Sequence, residues 1–535
     1  MMTSQTILPF QYEVEKRSSN LTSLAGLPLY LELAHAITLF RSINHWLKIR
    51  RSEQGFTDAQ ILSALILLQI AGGDSIDDLN RLKSDDGFIS VANRLALSGL
   101  KRKQRREIER RWNRDQEVPA IPSVSVVRRW LAKFHNSQAE KQRAESGAFI
   151  PSANQHLSVM AQINLGIVNF MQRFNPCKIA TLDMDATLIE TQKKGALYCY
   201  KKFQAYQPLN TWWAEQQMMI HTEFRDGNVP AGYEQKRVLE ESLSLLPKTV
   251  KEVRLRSDSA GYQWDLMRFC QKGDKKFGSH KILFAIAGRV TDAFREEVLK
   301  VADDEWRPIY QLMYKGKKYE KVLKSKQQWV EVGFVPSKIV SEPEDHYYRF
   351  IAIRESIQTE LPGAEEPTMP FSTYKTKKGR YKLFSIVTNI HQTNGKELEV
   401  NRGRVGVFNG NGMWGESIIH WHRERCGRSE QAHTILKTDL GGGKLPSAKF
   451  GANAAWWWIS VMTLNLHRIM SLLVLGKSWE NSRMKAVRFR LINIPARILE
   501  HGRQIFIRVS KSCTKAYETW QIARARLMEL LHSPG

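Results

Sequence analysis

Two periods of apolar residues divide the chain. Over residues 1–150 the spacing is helical: FTDAQILSALILLQIAGG repeats apolar positions every three to four residues and stops at Gly72-Gly73. SIDDLNRLKSDDGFISVANRLAL continues in the same style, and IPSVSVVRRWLAKFHN predicts a short serine-capped helix carrying Arg128 and Arg129. From about 176 the pattern changes to strands. CKIATLDMDATLIE is the first, ALYCYKKFQAY and WAEQQMMIHTEFR the next two, and RDGN a turn. GYEQKRVLEESLSLLPK predicts a helix, VKEVRLRSDSAG a strand running into the helix YQWDLMRFCQK, and KILFAIAGRV another strand. The order β-β-β-α-β-α-β belongs to a mixed α/β layer.

Between 296 and 410 that rhythm is lost. KKYEKVLKSKQQWVEVGF, HYYRFIAIRES, YKLFSIVTN and GRVGVF predict short strands among polar loops, a β-rich insertion. Helices resume at 421, and FGANAAWWWISVMTLNL is the longest apolar one. The apolar run around it is broken by Asn465, His467 and Arg468, which predicts a buried helix rather than a membrane span. VRFRLINI and RQIFIRVS read as alternating strands near the C-terminus. The expected division is a helical DNA-binding domain at 1–150, a core in two parts at 151–295 and 411–476, an insertion at 296–410 and a basic tail at 477–535.

Composition narrows the partners. The 535 residues exceed one ordinary core, and 42% hydrophobic residues exclude wholesale disorder. Lysine and arginine outnumber acids 80 to 54, a net +26 that suits a polyanion, nucleic acid above all. KRKQRREIERRWNR (101–114) holds eight basic residues against two acids, among them Lys101, Arg102, Arg105 and Arg106. Such a run is either a solvated helix face or a DNA-contact surface. The helix with Arg128 and Arg129 could likewise be a recognition helix or a packing helix. The five cysteines are scattered without CxxC, against a disulfide framework or zinc site, and fit a reducing cytoplasm. MMTSQTILPFQYEVEK lacks the apolar centre of a secretory signal.

The chemistry starts with TLDMDATLIE. Alternation puts Thr181, Asp183, Asp185 and Thr187 on one face, the two carboxylates about 7 Å apart. Two unpaired ions there are costly unless a cation compensates. The plainer alternative pairs one aspartate with an arginine and leaves the other solvated. Asp258, in EVRLRSDSAG, follows the last apolar position of another strand, where open α/β sheets build their sites; it could equally just cap the next helix. Asp185 and Asp258 at adjacent strand ends offer hard oxygen ligands for Mg²⁺ or Mn²⁺. HRERCGRSEQAHTILKTDL supplies a third acid: Glu430, His433, Thr434 and Lys437 share a helix face, although such Glu–Lys spacing is common on surface helices.

LDMDATLIE, YKKFQAYQPL, FRDGN, LRSDSAG, RCGRSEQAHTILKTDL and LPSAKFGANAAWWW together resemble bacterial insertion-sequence transposases of the DDE type, in order and over most of the chain. The resemblance implies an RNase H-like mixed-sheet catalytic core interrupted by a β-rich insertion, with an α-helical N-terminal domain. It implies a catalytic, metal-binding triad of Asp185, Asp258 and Glu430 with two Mg²⁺ or Mn²⁺ ions. Asp185 is preferred to Asp183 because Thr187 follows it by two positions; Asp183 becomes a supporting carboxylate or an additional metal ligand. Lys437 matches the lysine of the family signature Y-x2-R-x3-E-x6-K, which contacts DNA. The rest of that signature departs: His422 is read in the tyrosine place, one residue further from Glu430 than the signature has it, and Cys426 stands in the arginine place. Arg425 is one residue off, so either the helix start is bulged or Arg428 takes the role. Trp306 and Trp329 of the insertion are candidates for stacking a flipped base, or ordinary core residues.

The implied activity is cleavage of insertion-sequence ends and joining of the 3′-OH to target DNA. Terminal repeats and target DNA are the expected partners, with a dimer on DNA, no membrane, and a nucleoid-associated place in the bacterial cytoplasm. A structure-specific nuclease that never joins, or an inactive DNA-binding descendant, are the alternatives.

Overall fold

The alternation around residue 180 becomes the centre of a mixed sheet. The structure is a computed structural model describing residues 20–50, 55–96, 102–103, 106, 121–143, 147–273, 281–314, 319–336, 348–357, 373–376, 379–391, 400–401, 404–405, 415–501 and 504–532. Strand β1 (Ile179–Ala186) pairs antiparallel with β2 (Leu209–Trp213), which pairs with β3 (Met218–Glu223). On its other side β4 (Glu252–Ser257) and then β5 (Leu283–Gly288) run parallel. The order β3-β2-β1-β4-β5 is that of an RNase H-like core.

The sheet continues past β5. Strands β6 (Arg307–Tyr314), β7 (Tyr319–Val332), β8 (Arg349–Ile357), β9 (Thr373–Thr376) and β10 (Gly379–Thr388) belong to the insertion. β10 pairs antiparallel with β5, and β8, β7 and β6 follow outwards, while β9 also pairs with β10. The insertion is therefore not a body apart; it satisfies the hydrogen-bonding edge that β5 would otherwise present. β6 escaped the sequence reading because Pro308 sits beside a bulge that breaks its period.

Two further expectations change. ALYCYKKFQAY is not the second core strand but a small flap, in which Leu197–Tyr198 and Ile189–Glu190 both pair with Gln204–Tyr206. The second core strand is LNTWW, buried at every position, and so without the alternation that marks a half-exposed strand. VRFRLINI is helical (Met484–Ile492), because tertiary contacts outweigh its β-branched pattern. Arg488 within it donates to the carbonyls of Gln69, Ile70 and Asp439. RQIFIRVS does form a strand, Gln504–Val509, paired with Ala496–His501, which also pairs with Leu21–Thr22.

Helix α1 (Asp58–Ala71) opens with a capping box at Thr57 and closes at Gly72, whose φ of +104° favours glycine. Helix α2 (Val124–Leu131) buries Val127, Trp130 and Leu131, and Trp130 Nε1 donates to Asp58 at 2.8 Å. Its other face leaves Arg128 and Arg129 exposed. Helix α3 (Met160–Phe174) and helix α8 (Phe450–Ile469) cover one face of β3. The opposite face of the sheet meets α4 (Gln235–Ser244), where the Ser242 and Thr211 hydroxyls hydrogen-bond at 2.9 Å, and α5 (Trp264–Lys272) packs beside α4.

Every residue of α8 is buried. Although Phe450–Leu475 is long and apolar enough to cross a membrane, it is mostly buried, and the polar groups of Asn465, His467 and Arg468 have partners inside the protein. Asn465 accepts from Met219 N and donates to Met219 O and Asn164, at 2.8–2.9 Å. His467 bonds Tyr30 and the Ser482 carbonyl, and Arg468 the carbonyls of Gln216 and Glu480. A single hydrophobic cluster runs from Leu24 through Leu65, Leu255 and Trp457 to Leu527. Residues from Leu24 to Phe134 and from Met484 to Leu527 thus contribute side chains to the same interior as the sheet.

The start of α8 is tight: a β-carbon at Gly451 would lie 2.2 Å from the Phe134 carbonyl oxygen. Gly451→Ala is expected to lower stability by about 1–3 kcal/mol, read as a fall in the unfolding midpoint. An unchanged midpoint would show that this approach is not tight.

Candidate active site

The last paired residues of the parallel strands β1 and β4 are Met184 and Ser257. Asp185 and Asp258 come next, side by side on strands about 4.8 Å apart. Asp258 does cap the following turn, accepting from Ala260 N at 3.0 Å. Glu430 is exposed on α7 (Arg425–Thr434), which packs against β1. Burial pushes the Asp185 carboxyl up to about 6; Arg425 opposes the rise, and the charges of Asp258, Glu430 and Asp183 add to it. The three acids thus share one electrostatic neighbourhood. Among the described residues, however, no three His, Cys, Asp or Glu side chains lie close enough together to hold a metal ion. Two nitrogen groups stand against Asp185 instead: Arg425 Nη1 at 3.5 Å and His433 Nδ1 at 3.8 Å from Oδ2.

Asp183 is committed elsewhere. Arg256, its partner in the β1–β4 register, donates Nε to Oδ1 at 2.6 Å and Nη2 to Oδ2 at 2.9 Å. Both side chains are buried, so this aspartate, expected as a supporting or additional metal carboxylate, has both oxygens in an ion pair. The plainer sequence alternative, one aspartate held by an arginine, describes it. Arg256 also donates to Trp421 O at 2.7 Å and lies 3.1 Å from Glu424. It therefore ties two strands to the end of α6 (Gly415–Arg423).

The departures from the family signature have a structural answer. The helix is interrupted at Glu424, between α6 and α7, and Arg425 turns inwards despite its offset in sequence. Its Nε is buried and has no hydrogen-bond partner among the described residues. His422, expected to contact DNA, is buried instead. Its Nε2 donates to the Ser257 carbonyl at 2.9 Å, and burial holds its pKa down to about 4. Lys437 lies on a π-helical turn, Ile435–Asp439, and donates to Leu188 O at 3.4 Å. Burial and Lys201 lower its pKa, and Asp185 opposes that shift.

The remaining candidates scatter. The side chain of Arg428 and all of Lys101 and Arg105 lie outside the described residues, whereas Arg102 and Arg106 are helical and exposed. Arg128 is exposed and reaches both oxygens of Asp77 at 2.9 Å. Trp306 and Trp329 are buried; the Trp306 ring lies 4.3 Å beneath the Arg354 guanidinium. Neither can stack on a base, which requires an exposed ring.

One pair of residues was missed. Asn210 stands opposite Asp185 in the β1–β2 register, and its amide lies 3.1 Å from His433 Nε2. Thr222 donates to Asn210 Oδ1 at 2.6 Å, and the Trp457 indole, a donor only, approaches the same oxygen at 3.3 Å. Asn210 must therefore present its NH₂ to His433 Nε2, which leaves the imidazole proton on Nδ1, facing Asp185. Burial keeps this ring neutral, with a pKa of about 3. His433 shared a helical phase with Glu430 in the sequence; nothing there pointed to Asn210.

The sequence model of the family described as transposase DDE domain group 1 matches residues 10–530. The chain belongs to that family. Among solved structures, the transposase is similar to a piggyBac transposase in a synaptic complex with hairpin DNA. Their identity is 13% and the TM-score 0.40, over 96% of this chain and 83% of that one. No curated protein matches it. DDE transposases generally use divalent metal ions, and the donors here fit one in kind: carboxylate oxygens on three elements, with negative charge at Asp185 that one guanidinium answers from 3.5 Å.

Arg256→Met is expected to cost the transposase about 3–5 kcal/mol, because it strands a buried carboxylate. Replacing both partners, Asp183→Leu with Arg256→Met, should cost less than the single change. Denaturant melts of Arg256→Met, Asp183→Leu and the double variant decide; a double loss as large as the sum of the singles would show that the two side chains act independently.

Proposed function

We propose that this transposase cuts DNA at the ends of a mobile element and joins the freed 3′-OH to target DNA by two-metal phosphoryl transfer. Asp185, Asp258 and Glu430 are the ligands in this reading. The observation that carries it is the convergence of their charges on Asp185, at the ends of two parallel strands of an RNase H-like sheet. Two divalent ions, Mg²⁺ or Mn²⁺, would activate the attacking oxygen and stabilise the leaving 3′ oxygen when bound.

The protein's own groups divide the remaining work. Asp185 and Asp258 offer oxygens from rigid strand ends, and Glu430 adds a third from a helix. His433 points its Nδ1–H towards Asp185 across 3.8 Å, with its tautomer fixed by Asn210. Arg425 balances the Asp185 charge and would meet the phosphate; Lys437 meets the DNA strand beside it. The exposed Arg102, Arg106, Arg128 and Arg129 bind the terminal repeats. A dimer on DNA holds two ends together, in the bacterial cytoplasm at the nucleoid.

The test uses the full chain with duplexes carrying the sequences that flank its gene. Asp258→Asn and Glu430→Gln are expected to abolish cutting and leave end binding nearly intact; nicking by Asp258→Asn at the wild-type rate would remove Asp258 from the site. Cutting without joining would identify a nuclease, and binding without cutting an inactive descendant. End affinity should fall steeply with salt, and Arg128→Ala with Arg129→Ala should lower the log–log slope by about 1–2. An unchanged slope would place those arginines away from DNA.

A further inference from the structure

The flap between β1 and β2 plays no part in the mechanism above. Its sequence, IETQKKGALYCYKKFQAY (189–206), carries four lysines and a single acid, Glu190. Tyr198 is 66% and Tyr200 73% exposed, with Cys199 buried between them. Among the described residues most other large rings are buried or half-buried, Trp306 and Trp329 included.

These rings are held in place. Lys202 N donates to Cys199 O and Cys199 N to Phe203 O, each at 2.9 Å, closing a turn in which Lys202 has φ +65°. Arg143 donates to Gly195 O at 2.6 Å. Gly227, of the FRDGN segment, lies so close beneath the flap that a β-carbon would be 2.5 Å from Ala205 O and 2.7 Å from Leu197 O. The flap also adjoins the site. Lys437 donates to Leu188 O at its root, and the Lys201 charge helps hold Lys437 below the usual lysine range.

We propose that this flap is a docking surface for an unpaired DNA strand beside the active site, with Tyr198 and Tyr200 stacking on bases and Lys193, Lys194, Lys201 and Lys202 meeting phosphates. Interleaved aromatic and basic side chains suit single strands, whose bases present open faces; stacked duplex bases would leave the two rings idle. The inference rests on the DNA-cutting function proposed above and adds the element that receives the strand.

The probes are a short duplex with a single-stranded overhang containing 2-aminopurine and the same duplex made blunt. Wild-type protein is expected to prefer the overhang and to quench its fluorescence. Tyr198→Ala with Tyr200→Ala should weaken overhang binding by about 5- to 100-fold and leave blunt-duplex binding unchanged. The corresponding Phe variant should bind the overhang as wild type does. Because both rings are exposed, the unfolding midpoint should not move. An overhang preference that survives the Ala variant, or an equal loss on both probes, overturns the proposal. Cutting of element ends by wild-type protein is read separately: its absence refutes the transposition reaction, whereas its presence with an unaffected Ala variant refutes the flap alone.

Discussion

Asp183 and Arg256 face each other across β1 and β4 with both charges out of water. Each ion alone would be prohibitively costly there, and together they are tolerable only with near-ideal, two-point geometry. That demand fixes the spacing and register of the strand ends on which Asp185 and Asp258 sit. The third guanidinium nitrogen bonds Trp421 O and reaches Glu424, at the break between α6 and α7. The strand ends and the segment that aims Arg425, His433 and Glu430 are therefore located by the same charge pair.

The surroundings follow from burial. Helix α8 lies between the N-terminal helices and the sheet, and no part of it is left to solvent. Its asparagine, histidine and arginine would be intolerable in lipid or in an apolar core without partners; here each completes a backbone or side-chain group of a neighbouring element. Trp457 on the same helix bonds Thr222 and approaches Asn210, so the buried interior reaches the site through the His433 tautomer. Core and chemistry are coupled at that point.

The insertion has a comparable logic. A parallel edge strand such as β5 needs a partner, and β10 supplies one, so five insertion strands become part of the catalytic sheet. A second, smaller hydrophobic cluster, with Trp329, Ile351 and Ile386 on the strands and Ile418 and Trp421 on α6, holds the last helices over that extension. The approach of Gly415 to the Trp329 ring, closer than any β-carbon would permit, shows how near the helix start lies. Trp329 is thereby a packing residue.

The sequence by itself determined the layer type, most core strands, the apolar helix as a buried one, and the family, because period and short motifs are local properties of the chain. The position of Asp185 and Asp258 at adjacent strand ends was legible because a carboxylate just past a strand's last apolar residue stands out. The tertiary structure alone decided that LNTWW and not ALYCYKKFQAY is the second core strand, since full burial erases alternation. It alone gave Asp183 to Arg256, turned His422 inwards and set Asn210 behind His433. Those outcomes depend on register between segments far apart in sequence, and pairing energies across a register leave no trace in the spacing of either segment.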